Sequence, residues 1–338
     1  MRRAKRLFEQ ITVRENVLLA FRRAAGGRRH QAVVKAFAAD LESSAGGLIA
    51  GLVRGDVEVG RFRQFLIRDP KVRVITAPDF SERVLHHAVM NVLEPLFDRW
   101  LIDDTYACRR GRGRERAVQR AQHFCVAGGW FLKLDVRKCF DSIPHQRLLQ
   151  CLQRKLGDRR LLELLERIIR GFCGNPGMGV GLPIGSLTSQ HFANFYLGWL
   201  DRFIKEQLLV RRYVRYMDDM VLWHDDRQTL NSLHARIREF AAVQMGLELK
   251  PAMVRATAGG VPFLGCHVYP THTVLSRKSR VRWQRKLKLL HRAYRLGVLT
   301  ERELQQRLTA LTAFAKAASA CSWQFRTRVI QQLSVNDP

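Results

Sequence analysis

Apolar positions recur at helical spacing along the early part of the chain. Leu7, Phe8, Ile11, Val17, Leu18 and Phe21, set among Arg and Lys, predict a basic amphipathic helix over 5–25. Gly26-Gly27 breaks it, and shorter helices are predicted over 31–41 and 48–53 with a Gly-rich break between them. The period then changes. Over 57–67 and 72–75 apolar and basic residues alternate as in a two-stranded ribbon, with Asp69-Pro70 as its turn. Ser81 is the expected N-cap of an amphipathic helix running to Phe97. Phe131-Leu-Lys-Leu-Asp135 reads as a short strand, followed by helices over 145–156 and 159–172 and a Gly- and Pro-rich stretch over 174–185. A long helix is predicted from Ser186 to Glu206, strand–turn–strand over 212–223, helix over 230–245, strand over 262–269 and helix beyond Leu275. This order predicts an α+β fold, an antiparallel sheet with helices on one face.

Charge narrows the function. Lys and Arg number 58 against 30 Asp and Glu, a formal net charge of +28 on 338 residues. Such a chain repels itself and binds polyanions, and its 46% hydrophobic content excludes a disordered basic tail. At about 150 residues per domain the length predicts two or three lobes. The apolar runs fall short of the ~20 residues that span a bilayer. Met-Arg-Arg-Ala-Lys-Arg is followed by no apolar core and cleavage site, so neither membrane insertion nor secretion is expected. Seven scattered cysteines (108, 125, 139, 151, 173, 266 and 321) without a Cys-x-x-Cys pair read as reduced thiols of a cytoplasmic protein, against a disulfide scaffold or zinc ribbon.

Two groups of residues carry chemistry. Tyr216-Met-Asp218-Asp219 places adjacent acids in a tight turn between apolar strands, where like charge is unfavourable unless cations neutralise it. Asp135 ends a strand able to lie beside that hairpin. Three oxygen donors at one sheet edge suit two hard divalent ions, Mg²⁺ or Mn²⁺, that complete their shells with phosphate and water. The second group is basic. Arg277, Lys278, Arg280, Arg282, Arg285, Lys286, Lys288 and Arg292 surround Trp283, Leu287 and Leu290 with no acid among them, a pattern suited to a nucleic-acid backbone.

Tyr-Met-Asp-Asp, the upstream Leu-Asp-Val-Arg-Lys-Cys-Phe-Asp-Ser-Ile and the intervening Gly-Leu-Pro-Ile-Gly-Ser-Leu-Thr-Ser-Gln resemble, in order, the palm motifs of reverse transcriptases. Residues 73–83 resemble the family's fingers motifs, and Gly246-Leu-Glu-Leu-Lys250 and Phe263-Leu-Gly265 its closing palm motifs, so the resemblance covers about 60–270. Most of the family carries Gln where this chain has Ile184 and Pro where it has Gln190. That departure, with Thr105-Tyr-Ala-Cys-Arg109 and Gly111 and Gly113, is similar to reverse transcriptases of diversity-generating retroelements. The resemblance implies a right-hand polymerase with an N-terminal helical extension (1–60), fingers (61–128), a palm (129–272, with a fingers-side segment over 157–183) and a short basic thumb (273–338). It further implies an enzyme that copies a template-repeat RNA into cDNA with dNTPs and errs at template adenines. A structured RNA, an RNA–DNA hybrid and a small basic accessory protein that forms a barrel-shaped oligomer are the implied partners.

Site roles follow from the same resemblance. Asp135, Asp218 and Asp219 match the metal-binding triad, with Asp219 the less direct ligand, whereas Asp141 is not a triad position. Phe140 matches the ring that excludes a 2′-hydroxyl, and Lys71 and Arg73 match cations over the triphosphate. Ile184 replaces a polar contact near the incoming nucleotide, which should lower discrimination between base pairs, and Gln190 faces nucleotide or template. Lys250 falls near a lysine that protonates pyrophosphate. Arg83, with His86 and His87 one turn on, contacts template backbone, and two adjacent histidines without a third ligand make a poor metal site. Phe263 and Gly265 form the primer-grip hairpin, and the cations of 277–292 track the hybrid. Rival readings are a group II intron-like or defence-associated reverse transcriptase, and a catalytically idle RNA-binding scaffold.

Overall fold

A computed structural model describes residues 3–68, 72–172 and 179–316. The Asp69-Pro70 turn, Lys71, Cys173, much of the Gly- and Pro-rich stretch and everything after 316 lie outside the described residues. Helices α1 (Phe8–Thr12), α2 (Arg14–Ala24), α3 (Ala32–Ala39) and α4 (Leu41–Arg54) precede strands β1 (Phe62–Ile67) and β2 (Arg73–Pro78) and the long helix α5 (Phe80–Trp100). Then come α6 (Arg114–Cys125), β3 (Trp130–Asp135), α7 (Cys139–Ser142), α8 (His145–Gln153), α9 (Arg159–Arg170) and α10 (Leu187–Arg202), the last prolonged by a π-helical turn over Phe203–Gln207. The rest runs β4 (Arg212–Tyr216), β5 (Asp219–His224), α11 (Arg227–Met245), β6 (Met253–Ala256), β7 (Val261–Phe263), β8 (Cys266–Val268), β9 (Thr273–Leu275), α12 (Arg277–Arg295) and α13 (Glu301–Lys316). Two compact units interleave along the chain. The first takes Met1–Asp103, Val136–Leu208 and Arg236–Lys250, the second Asp104–Asp135, Leu209–Ala235 and Pro251–Pro338.

In the first unit α5 is the spine. The helix predicted over 5–25 is two helices, because Val13 is extended (φ −62°, ψ 131°). Asn16 Nδ2 donates to Ile11 O, a carbonyl near the break, and to Ala88 O of α5, each at 3.1 Å, so one side chain mends the helix end and docks α2. α4 runs unbroken through Gly46-Gly47, where a break was expected. Asp40 accepts from Ser43 N at 3.1 Å, and Ala45, Leu48, Gly51 and Leu52 bury one stripe, which outweighs about 1 kcal/mol of helix propensity per glycine. α5 begins at Phe80 with Asp79 at the cap position, so Ser81 stands inside the first turn rather than capping it. At the far end of α5, Phe97 stacks on Phe195 of α10 with centroids 4.5 Å apart. Gly198 of α10 lies against Leu101 and Trp100, where a Cβ would stand 2.9 Å from Leu101 Cδ2 and 3.2 Å from Trp100 Nε1. β1 and β2 pair antiparallel, Phe62 opposite Pro78 and Ile67 opposite Arg73.

The second unit holds two antiparallel sheets, one in the order β4-β5-β3-β6 and one in the order β7-β8-β9. Phe124, Phe131, Trp223, Phe263, Trp283 and Leu287 form one buried core with residues of both sheets. Helix α6 escapes the hydropathy pattern because its buried face is mostly small: Ala117, Val118, Ala121, Phe124 and Cys125. The strand expected over 262–269 is a hairpin turning at Leu264-Gly265, both with positive φ (48° and 79°). α12 buries Ser279, Trp283 and Leu287, four residues apart, and Ser276 caps it by accepting from Ser279 N at 3.2 Å. Among the described residues no single helix is long and apolar enough to cross a membrane, although α3 and α4 together, bent by 89°, pass on length and composition. Cys108, Cys125, Cys139, Cys151 and Cys266 are free thiols.

Candidate active site

The three aspartates gather in the second unit. Asp135, the last residue of β3, lies directly opposite Asp219, the first of β5. Tyr216 pairs with Asp219 across the β4–β5 hairpin, so Met217-Asp218 is its two-residue turn. Met217 adopts a left-handed φ of 53°, a conformation a non-glycine residue holds only when its surroundings impose it. Arg215 imposes it. This arginine is fully buried beneath the turn and donates from Nη1 to Met217 O at 3.1 Å. Its own backbone is clamped by Arg215 N to Asp104 O (2.9 Å) and Tyr106 N to Arg215 O (3.0 Å).

Asp219 does not stand open beside the other two acids. Lys133 Nζ lies 2.6 Å from Asp219 Oδ1 and 2.8 Å from Pro262 O, above the Phe263 ring at 5.7 Å. Burial pushes the Asp219 carboxyl above the usual carboxylate range; Lys133 opposes that shift, while Asp135 and Asp218 reinforce it. Among the described residues no three His, Cys, Asp or Glu side chains are closed around one metal position. The donor chemistry nevertheless fits hard divalent ions: carboxylate oxygens alone, mutually repelling, at the ends of the two central strands. Asp135 and Asp218 are the residues that would hold such ions, with water and phosphate as the remaining ligands. Lys133 supplies the positive charge at Asp219 itself.

The other sequence-derived candidates fall in both units. In the first, Phe140 sits in α7, partly buried, and its carbonyl accepts from Leu182 N at 2.7 Å. Two residues on, Ile184 O accepts from Thr76 N of β2 at 2.7 Å. Arg73 opens that same strand, three residues before Thr76, and is exposed. Gln190 is exposed on α10, and Lys250 is exposed at the end of the first unit. Lys71 lies outside the described residues.

Arg83 is partly buried, and its Nε is buried without a hydrogen-bond partner. Burial and the nearby Arg28 lower its pKa from the ordinary guanidinium value. Burial, Arg83, Arg23, His86 and Arg28 together push His87 down to about 4. In the second unit Phe263 is buried in β7, and Gly265 O accepts from Ser276 N at 3.0 Å. Along α12, Arg277, Lys278, Arg280, Arg285, Lys286, Lys288 and Arg292 are exposed and Arg282 is partly buried.

Residues 68–268 match the family model "Reverse transcriptase (RNA-dependent DNA polymerase)", more than half of the chain. The chain belongs to the reverse transcriptase family. Among curated relatives it is 27% identical over 138 residues to the group II intron-encoded protein LtrA of Lactococcus lactis subsp. cremoris, covering 40% of this chain and 23% of that protein. It is 23% identical over 153 residues to the putative COX1/OXI3 intron 1 protein of Saccharomyces cerevisiae, covering 43% of this chain and 18% of that one. The chain thus spans about a fifth of the length of these relatives. A telomerase from Candida tropicalis, solved in complex with a TWJ fragment of telomeric RNA, superposes with a TM-score of 0.51 at 11% identity, over 88% of this chain and 58% of that one. That likeness, with the α+β elements and antiparallel sheets, makes the fold that of a right-hand polymerase.

Reading the motifs alone misses Lys133 and Arg215. Lys133 carries a faint signal, since it is two residues from Asp135 on a strand and so shares its face. Arg215 carries a fainter one: an arginine inside the run Tyr-Val-Arg-Tyr of a buried strand.

Proposed function

We propose that this chain is an RNA-directed DNA polymerase that extends a primer 3′-hydroxyl with dNTPs on an RNA template. The observation that carries this reading is the pairing of Asp135 with Asp219 across β3 and β5, with Asp218 in the adjoining turn. Two divalent ions, Mg²⁺ or Mn²⁺, would activate the attacking hydroxyl and neutralise charge on the pyrophosphate leaving group. The protein's own part is positional. Arg215 holds the turn that presents Asp218, and Lys133 holds Asp219 in place. Arg73 offers a guanidinium to the triphosphate, and the Phe140 ring blocks a 2′-hydroxyl. The cations of α12 hold the hybrid by its phosphates, and Arg83 of α5 holds template backbone.

Of the enzyme types weighed from the sequence, the relatives favour the group II intron-encoded one. The diversity-generating type keeps one observation in its favour. An apolar Ile184, bonded to β2 through its backbone, offers no side-chain hydrogen bond with which to check a base pair. The small basic accessory oligomer belongs to that second reading alone.

Primer extension on a defined RNA, with the cDNA sequenced position by position, tests both. cDNA from the wild type and none from Asp218→Ala is expected; synthesis that survives Asp218→Ala overturns the polymerase reading. Errors clustered opposite template adenine would select the diversity-generating type, and rare uniform errors the intron type.

A further inference from the structure

A chain of buried polar side chains in the first unit runs from the base of the β1–β2 ribbon to the loop that carries Ile184. Glu82 and His86 lie one turn apart on α5, and Ser186 immediately precedes α10. They are only 4%, 1% and 1% exposed. Glu82 Oε2 accepts from Gly60 N (2.9 Å) and Arg61 N (3.2 Å), the residues that lead into β1. His86 Nδ1 is 3.1 Å from Ser186 Oγ, which is 2.9 Å from Thr188 Oγ1 in the first turn of α10. Between them Glu82 Oε1 faces His86 Nε2 at 3.4 Å. Both atoms are buried and neither has a hydrogen-bond partner.

The opposite side of the loop is held as tightly. Thr76 N donates to Ile184 O at 2.7 Å. Gly185, at φ +126°, packs so closely on β2 that a Cβ would stand 2.6 Å from Ile75 Cγ2. Ile184 is therefore fixed through its carbonyl from the ribbon, and through Ser186 from α5. Apolar side chains of similar volume would fill this interior without desolvating a carboxylate and an imidazole. What the hydrogen bonds at its two ends, Gly60 and Arg61 N–H to Glu82 and His86 with Ser186, add over apolar packing is direction, while Glu82 and His86 only approach each other at 3.4 Å between them.

We propose that Glu82, His86 and Ser186 are positioning residues that set Ile184 against the ribbon and through it govern which nucleotide is accepted. The proposal rests on the polymerase reading given above, with Ile184 beside the incoming nucleotide.

Single-nucleotide insertion on a primed RNA template tests it, comparing correct and mismatched dNTPs for the wild type, Ser186→Ala and His86→Gln. The readout is the ratio of kcat/KM for mismatched over correct insertion, which does not depend on the fraction of enzyme that is folded. Loss of one buried hydrogen bond should shift that ratio by about 5- to 10-fold and raise KM for the correct dNTP by a similar factor, with kcat changed by less than about 3-fold. Thermal unfolding of the same samples reports any structural loss separately. An unchanged ratio in both variants, whether or not their melting temperature drops, overturns the proposal and leaves the network a packing feature. Absence of templated insertion by the wild type would remove the polymerase reading and the proposal with it, and that result appears before any variant is made.

Discussion

Replacing Lys133 by Met should destabilise the second unit and make its stability depend on divalent ions. Methionine keeps most of the length of the stem and removes the ammonium, which lies 5.7 Å from the Phe263 ring centroid and bonds Asp219 Oδ1 at 2.6 Å and Pro262 O at 2.8 Å. The Asp219 carboxylate then faces Asp135 and Asp218 without that ammonium. Removing one partner of a fully buried pair costs about 3–5 kcal/mol. Both side chains here keep 21% exposure, so water screens part of the loss and about 1–3 kcal/mol remains. For a chain of 338 residues that is a drop in Tm of about 1–4 °C. An ion bound at 100 times its dissociation constant returns about 2.7 kcal/mol, enough to offset the loss. The assay is thermal unfolding with and without Mg²⁺ or Mn²⁺ at matched ionic strength. The metal-induced rise in Tm should be larger in Lys133→Met than in the wild type. Equal melting temperatures without metal, or equal metal-induced increments, would refute the view of Lys133 as the cation that stabilises this carboxylate cluster.

Two further outcomes follow from the same structure. Burial pushes His191 of α10 down to about 4 from an ordinary 6.5, so the unfolded chain takes up a proton in that window and the folded chain does not. Stability is complete above pH 6.5 and falls by about 3 kcal/mol as the pH drops toward 4, and urea titrations should show that loss removed in His191→Gln. On α12, Arg285→Gln with Lys286→Gln should lower affinity for an RNA–DNA hybrid evenly across sequences. The slope of log K against log salt should fall by about 1–2, measured by fluorescence anisotropy, and an unchanged slope would take these cations off the backbone.

How much of this was legible beforehand depends on how far apart along the chain the interacting residues lie. Asp218 and Asp219 are adjacent, and alternation with a short turn is enough to read the β4–β5 hairpin around them. That Asp135 stands opposite Asp219 needs the β3–β5 register, a pairing across more than eighty residues that local periodicity does not contain. Lys133 shows the same limit one step further on. Its face follows from parity with Asp135, but its partner is Asp219, diagonal to it across the strand pair, where a long side chain reaches and a short one does not. The two units interleave for this reason as well: each is assembled from three separated stretches, and no composition shift marks the joins.

The misread helices have a different cause. α4 continues through two glycines because its buried stripe outweighs propensity, and α6 hides its core face in alanines.

His86 and His87 bring both causes together. As neighbours in sequence they invite comparison with a metal site, yet successive residues on a helix point about 100° apart. His86 accordingly enters the buried chain between Glu82 and Ser186, whereas His87 lies among Arg23, Arg28 and Arg83, whose charge helps keep it neutral. Adjacency in the sequence separated their environments, and the long-range packing of α5 against the Ile184 loop and against α2 decided what each environment is.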